Sequence, residues 1–139
     1  MLEANLAFYE AFAAQSFEAM AHAWATEQPV VCIHPGWQPL YGREEVMASW
    51  RAILAGEPTS IRCESPRVVV HDEVGLVTCL ERLGAAHPRS RGAVETTHLA
   101  ATNVFVLEEG VWRMIHHQAG PFADRAAGSD IAPPPESLN

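Results

Sequence analysis

The sequence contains no lysine. All nine of its basic residues are arginine, set against seventeen acidic residues for a formal net charge of −8. Without lysine there is no Schiff-base amine, no catalytic ammonium and no phosphate-loop lysine. Positive charge is also too sparse for a nucleic-acid or anionic-lipid partner, each of which needs it clustered. Long apolar runs are missing as well. None approaches the ~20 residues of a membrane span, and the N-terminus lacks the basic-then-apolar layout of a signal peptide. Cysteine is scarce: Cys32, Cys63 and Cys79 are odd in number and lie inside apolar runs without metal-ligand spacing. They read as reduced core thiols of a cytoplasmic protein. What is present is 139 residues, 48% hydrophobic and 19% charged. That suits one folded domain, burying roughly two-thirds of its unfolded surface around a core with room for one internal pocket.

The first third reads as helix. Leu2, Leu6, Tyr9 and Ala13 recur at helical spacing, widened by Phe8 and Phe12. Ser16 is placed to cap a second helix carrying Phe17, Met20, Ala21 and Trp24 on one face. Val30 to Ile33 predicts a short strand, and His34-Pro35-Gly36-Trp37-Gln38-Pro39 a loop. A third helix opens at Gly42 with two acids in its first turn, buries Val46, Trp50 and Ile53, and stops at Gly56. From Ser60 the period changes to that of strands: Ile61 to His71 interrupted at Pro66, Leu76 to Leu83, Ala93 to Leu107, and Val111 to Ala119. This order predicts an α+β domain over residues 1–126, with helices on one face of a curved antiparallel sheet. Residues 127–139 form a Pro-rich tail without core pattern, in which Ile131 and Leu138 are expected to lie against the body.

A tight turn at Glu109-Gly110 sets the register of the last hairpin. It pairs Leu107 with Trp112, Phe105 with Met114, Asn103 with His116 and Ala101 with Gln118. One face then carries Leu99, Ala101, Asn103, Phe105, Trp112, Met114, His116 and Gln118. The other carries His98, Thr102, Val104, Arg113, Ile115 and His117. Both faces are largely apolar, and three helices can cover only one. The other calls for a second copy of the chain, giving a homodimer that buries His98, Thr102, Val104, Arg113 and Ile115, with His117 at the interface.

These pieces together resemble the SnoaL-like group of the nuclear transport factor 2-like superfamily over residues 2 to 122. The residues that carry the likeness are His34-Pro35-Gly36-Trp37, Leu40-x-Gly42, Ser49-Trp50, Ala101-Thr102-Asn103-Val104-Phe105 and Trp112-x-Met114-Ile115-His116-His117. The resemblance implies a cone-shaped fold, its sheet wrapped around the helices and a pocket, and dimerisation through the outer sheet face. Members include ketosteroid isomerases, dehydratases, epoxide hydrolases and polyketide cyclases, so the fold implies a pocket without naming a reaction. Many relatives have a further histidine near the position of Gln118 and a serine near Gly120, which this chain lacks.

Asn103 and His116 are the expected pair of the site. They should lie within one-water distance in a cavity walled by Trp24, Trp37, Trp50, Phe105, Trp112 and Met114, with Gln118 one step further out. A plain core histidine is the alternative for His116. His34 is a second imidazole for acid–base work at the pocket mouth, and Trp37 a plug for the cone. Glu81 serves as a general base if its face is inward, unless Arg82 or Arg113 pairs with it; Glu95 is a further strand carboxylate. No spacing supports a metal site or a cofactor, and Ser49, Thr102 and Tyr41 lack a nucleophile motif. Two functions follow. One is a dimeric module binding a small apolar or carbonyl-containing ligand; the other is a cofactor-independent isomerase, dehydratase or cyclase that works by proton transfer.

Overall fold

A computed structural model of the chain describes residues 1–85 and 96–123. The expectations for Glu95 and for the 127–139 tail lie outside the described residues. Helix α1 spans Leu2–Ala13, α2 Phe17–Ala23 and α3 Gly42–Leu54. The strands are β1 (Val31–Ile33), β2 (Leu40–Tyr41), β3 (Thr59–His71), β4 (Val74–Ala85), β5 (Thr96–Glu108) and β6 (Val111–Gly120). They form one curved sheet in the order β2-β1-β6-β5-β4-β3, an α+β architecture with the helices on its inner face.

Local chemistry explains the element ends. Ser16 caps α2 by accepting the Ala19 N–H at 3.2 Å, as a serine in extended backbone before a helix does. At the other end of α2, Arg43 donates to the carbonyls of Ala21, Trp24 and Ala25. Arg113 donates to that of His22. These guanidinium groups satisfy carbonyls that the helix leaves without an N–H partner. Arg113 is therefore engaged within its own chain, where an interface role was expected. Two features escaped the sequence. Residues Leu40–Tyr41 add a short edge strand, and β1 runs parallel to β6, Val31 opposite His116.

The inner stripe of α1 differs from the one expected. Leu2 and Leu6 are 52% and 53% exposed, whereas Asn5, Phe8 and Tyr9 are buried. A polar Asn5 wins the inner position because the sheet opposite supplies hydrogen-bond partners. Phe8, Met20, Trp24, Val77, Phe105 and Met114 make the dense centre of the core.

The β5–β6 hairpin turns through Glu109 and Gly110, both with positive φ, as a two-residue turn of matching twist requires. Leu107 pairs with Trp112 and Phe105 with Met114, as the turn dictates. The register then shifts: Val104 lies opposite His116, and Asn103 opposite His117. Ile115 is the extra residue, a β-bulge that reverses the facing of every later residue on β6. The expected Asn103–His116 and Ala101–Gln118 pairs are thereby replaced by Asn103–His117 and Ala101–Ala119.

Beside the hairpin, Glu108 anchors the segment after α2. Its carboxylate accepts the backbone N–H groups of Thr26, Glu27 and Gln28 at 3.0, 3.1 and 3.0 Å. Burial alone would raise its pKa, but these donors outweigh burial and hold it below the usual range. Its contribution is therefore present above the unfolded carboxylate pKa and is lost as pH falls through the depressed folded value. Glu108→Ala should lower the urea midpoint at pH 7, with the gap to the parent closing toward pH 3. A gap that persists unchanged at pH 3 would show that the carboxylate charge is not what holds the segment.

Candidate functional site

A cavity of about 180 Å³ lies between α1, α3, the loop after β1 and the inner face of the sheet. An apolar cavity of ~150 Å³ already holds benzene, so this one takes a single ring. Its apolar wall includes Phe8, Phe12, Ile53, Ile61, Leu83 and Leu99, and its polar groups belong to His34, Glu81 and His117. Trp37 and Trp50 complete the wall. Trp50 is held edge-on by Phe8, Phe12 and His34, with ring centroids 5.4, 5.8 and 4.8 Å away. Trp37 remains 49% exposed and packs its ring against His34 at 4.9 Å. The indole N–H of Trp50 is sealed from the cavity and has no acceptor among the described residues.

Behind the cavity runs a continuous polar chain. Tyr9 donates to Glu81 Oε1 at 2.8 Å. Asn103 Nδ2 donates to Asn5 Oδ1 at 2.8 Å and to the Tyr9 hydroxyl at 3.2 Å. With its amide nitrogen so committed, Asn103 turns its Oδ1 toward His117 Nδ1, 2.6 Å away. An amide oxygen only accepts, so His117 carries its proton on Nδ1 and a lone pair on Nε2. Burial pushes His117 down to about 3, with the nearby His34 and His116 adding to it, so the ring is neutral at ordinary pH.

His34 follows the same logic from the other side. The Ser49 hydroxyl donates to the Val46 carbonyl at 2.7 Å, so it accepts from His34 Nε2 at 2.8 Å. Burial lowers His34 to about 4, and the ring is again neutral. Glu81 moves in the opposite direction. It is 2% exposed, and burial raises it to about 7 despite the Tyr9 hydrogen bond, which lowers it. Neither arginine considered for it is its partner. Arg82 pairs with Glu64 at 3.6 Å, and Arg113 is occupied by His22.

Of the residues singled out from the sequence, the fold brings His34, Glu81, Trp37 and Trp50 to the cavity, with Asn103 directly behind it. His116 is not there: the Ile115 bulge sets it opposite Val104 and only half-buried. Its neighbour His117, expected at an interface, takes the inner position at 3% exposure. Gln118 is exposed for the same reason. Trp24, Phe105 and Met114 are solid core rather than cavity wall, and Trp112 borders a separate groove beside Met1 and Ala4. Two broader troughs of about 530 and 510 Å³ run along α2 and the hairpin, and neither includes Glu81, His34 or His117. Sequence reasoning missed Asn5 and Tyr9. Their spacing of one helical turn was the available signal, since i and i+4 share a face.

The family model of the SnoaL-like domain matches residues 1–124. The chain belongs to the SnoaL-like family. This SnoaL-like chain is 33% identical to a candidate dehydratase of the nuclear transport factor 2-like family from Streptomyces avermitilis. That solved structure superposes with a TM-score of 0.77 over 86% of this chain and 91% of the other. A candidate association domain of a calcium/calmodulin-dependent protein kinase type II from Thiobacillus denitrificans is 32% identical. Its TM-score is 0.74, covering 86% and 93% of the two chains. Among curated proteins, the F-box protein SKIP8 of Arabidopsis thaliana is 25% identical over 120 residues. The match takes in 86% of this chain and 48% of SKIP8, so the SnoaL-like chain spans about half the length of that relative. No helix among the described residues is long and apolar enough to cross a membrane.

Proposed function

We propose that this SnoaL-like protein is a cofactor-independent enzyme that moves a proton within a small, neutral carbonyl compound, with Glu81 as the base. One observation carries the reading: Glu81 is a buried carboxyl in a ring-sized cavity, without an arginine partner among the described residues. A base with a pKa of about 7 gives up and regains a proton readily at neutral pH. In the forward step, a Glu81 oxygen takes a proton from the carbon next to the carbonyl. The C–H electron pair becomes a C=C bond and the carbonyl π pair moves to oxygen. Return of the proton to a different carbon, where a C=C adjoins the enolate, completes an isomerisation; return to the same carbon after Glu81 has traded its proton with solvent gives exchange. His34 and His117 stay neutral throughout, and the lining has no cation to recruit an anionic substrate. The family, and the candidate dehydratase among its solved relatives, support this class of chemistry.

The test is deuterium exchange: cyclohexanone incubated with the protein in heavy water, with loss of the proton signals beside the carbonyl followed by NMR. Exchange above buffer supports the enzyme. Saturable binding without exchange overturns it in favour of a ligand-binding module. Assembly as a homodimer through the outer sheet face belongs to the same proposal. Val104, Val106 and Ile115 are only half-buried within one copy, and light scattering at micromolar concentration should return twice the chain mass.

A further inference from the structure

The cavity carries an acceptor that the proposed proton transfer does not use. His117 Nδ1 is committed to Asn103 Oδ1, and the Asn103 amide nitrogen is committed to Asn5 and Tyr9. The other tautomer would set a bare Nδ1 lone pair against Asn103 Oδ1, unless the Asn103 amide turned over and gave up Asn5 and Tyr9, and either is costly in a buried site. Nε2 is left with its lone pair and no partner among the described residues, on a ring that lines the cavity. Phe8 and Trp50 pack against that ring, with centroids at 4.9 and 6.0 Å, and fix its plane. One orphan acceptor thus faces a space the size of one ring.

From this we infer that the ligand of the cavity carries a hydroxyl group, which donates to His117 Nε2. The inference rests on the cavity being the binding site, but not on turnover. It makes His117 a specificity-determining residue, and it makes Asn103, Asn5 and Tyr9 the residues that position it. The ligand class is a neutral hydroxylated compound of about one ring. A ligand without a hydroxyl leaves that acceptor unpaired. A carboxylate sets its charge beside Glu81 with no cation in the lining to offset it.

The experiment compares four ring-sized probes by titration calorimetry: 3-hydroxycyclohexanone, cyclohexanone, methylcyclohexane and cyclohexanecarboxylate. The hydroxy-ketone should bind roughly tenfold or more tightly than cyclohexanone, the usual weight of a buried hydrogen bond to a site that otherwise stays unpaired. In His117→Phe that gap should shrink to less than about twofold, the value of a lost buried acceptor. Nitrogen-15 NMR of the unmodified protein supplies a second readout. His117 should show a protonated Nδ1, and its Nε2 resonance should move on adding the hydroxy-ketone but not on adding cyclohexanone. Equal affinities for the two ketones, or an Nε2-protonated ring, overturn the inference while leaving the cavity as a binding site. Failure of every neutral probe to bind overturns the cavity reading itself. A hydroxyl preference without deuterium exchange keeps the inference and removes the enzyme.

Discussion

Replacing Glu81 with glutamine is expected to slow proton exchange by about 10²–10⁴-fold, the usual contribution of a positioned general base. The same change should make the protein more stable above pH 7. The amide oxygen still accepts from Tyr9, so the polar chain behind the cavity survives and loss of activity reports on the base itself. The stability gain follows from the raised folded pKa. Between the ordinary carboxyl value of 4.5 and about 7, folded Glu81 holds a proton that the unfolded chain has released. Stability therefore falls as pH rises through that window and stays lower above it, by ~3 kcal/mol if the whole shift is expressed. His34 and His117 shift the other way, so their cost appears on the acid side, as pH falls from the ordinary histidine range toward about 4 and about 3. Urea titrations at pH 5 and pH 8 check this directly: the variant should gain on its parent only at the higher pH. An equal gain at both would mean that the carboxylate charge is not what the fold resists.

The second large effect is at Asn103. Asn103→Leu keeps the volume and removes every hydrogen bond the side chain makes. It strands the His117 Nδ1–H and Asn5 Oδ1 in the interior. Each buried group left unpaired costs ~1–3 kcal/mol, so a loss of about 4 kcal/mol is expected in urea unfolding. Asn103→Asp offers a sharper contrast. A carboxylate against Nδ1 favours imidazolium and raises the His117 pKa, which turns Nε2 from acceptor into donor. That variant should fold, titrate a histidine near neutral pH by NMR, and lose any preference for hydroxylated ligands. If Asn103→Leu costs less than about 1 kcal/mol, the chain from Glu81 to His117 is decoration rather than structure.

Much of this was legible in the order of residues. The helices, the Ser16 cap and the hairpin register down to Phe105 and Met114 follow from periodicity and turn chemistry alone. Glu81 faces inward with Val77 and Cys79, a facing that alternation alone left open. The Ile115 bulge was not legible, because Met114-Ile115-His116-His117 contains no glycine or proline to mark it, and both histidines suit either face. The inner side of α1 was misread for a related reason. Hydrophobicity ranks Leu2 and Leu6 above Asn5, but Asn5 has an amide waiting across the core and the leucines stay half exposed. Tertiary partners decide such positions, and a pattern of apolar residues does not record them.

The polar chain joins α1 to β5 across sequence separations of 98 and 94 residues, and β1 finds its place only beside β6. Contacts so distant along the chain close slowly, because the loop entropy must be met before they yield anything. On a ribosome, α1 and α2 would emerge and wait, with Asn5 and Tyr9 unsatisfied, until β5 and β6 had been synthesised. The site is therefore among the last things to form, and its half-made halves are what a chaperone would meet first.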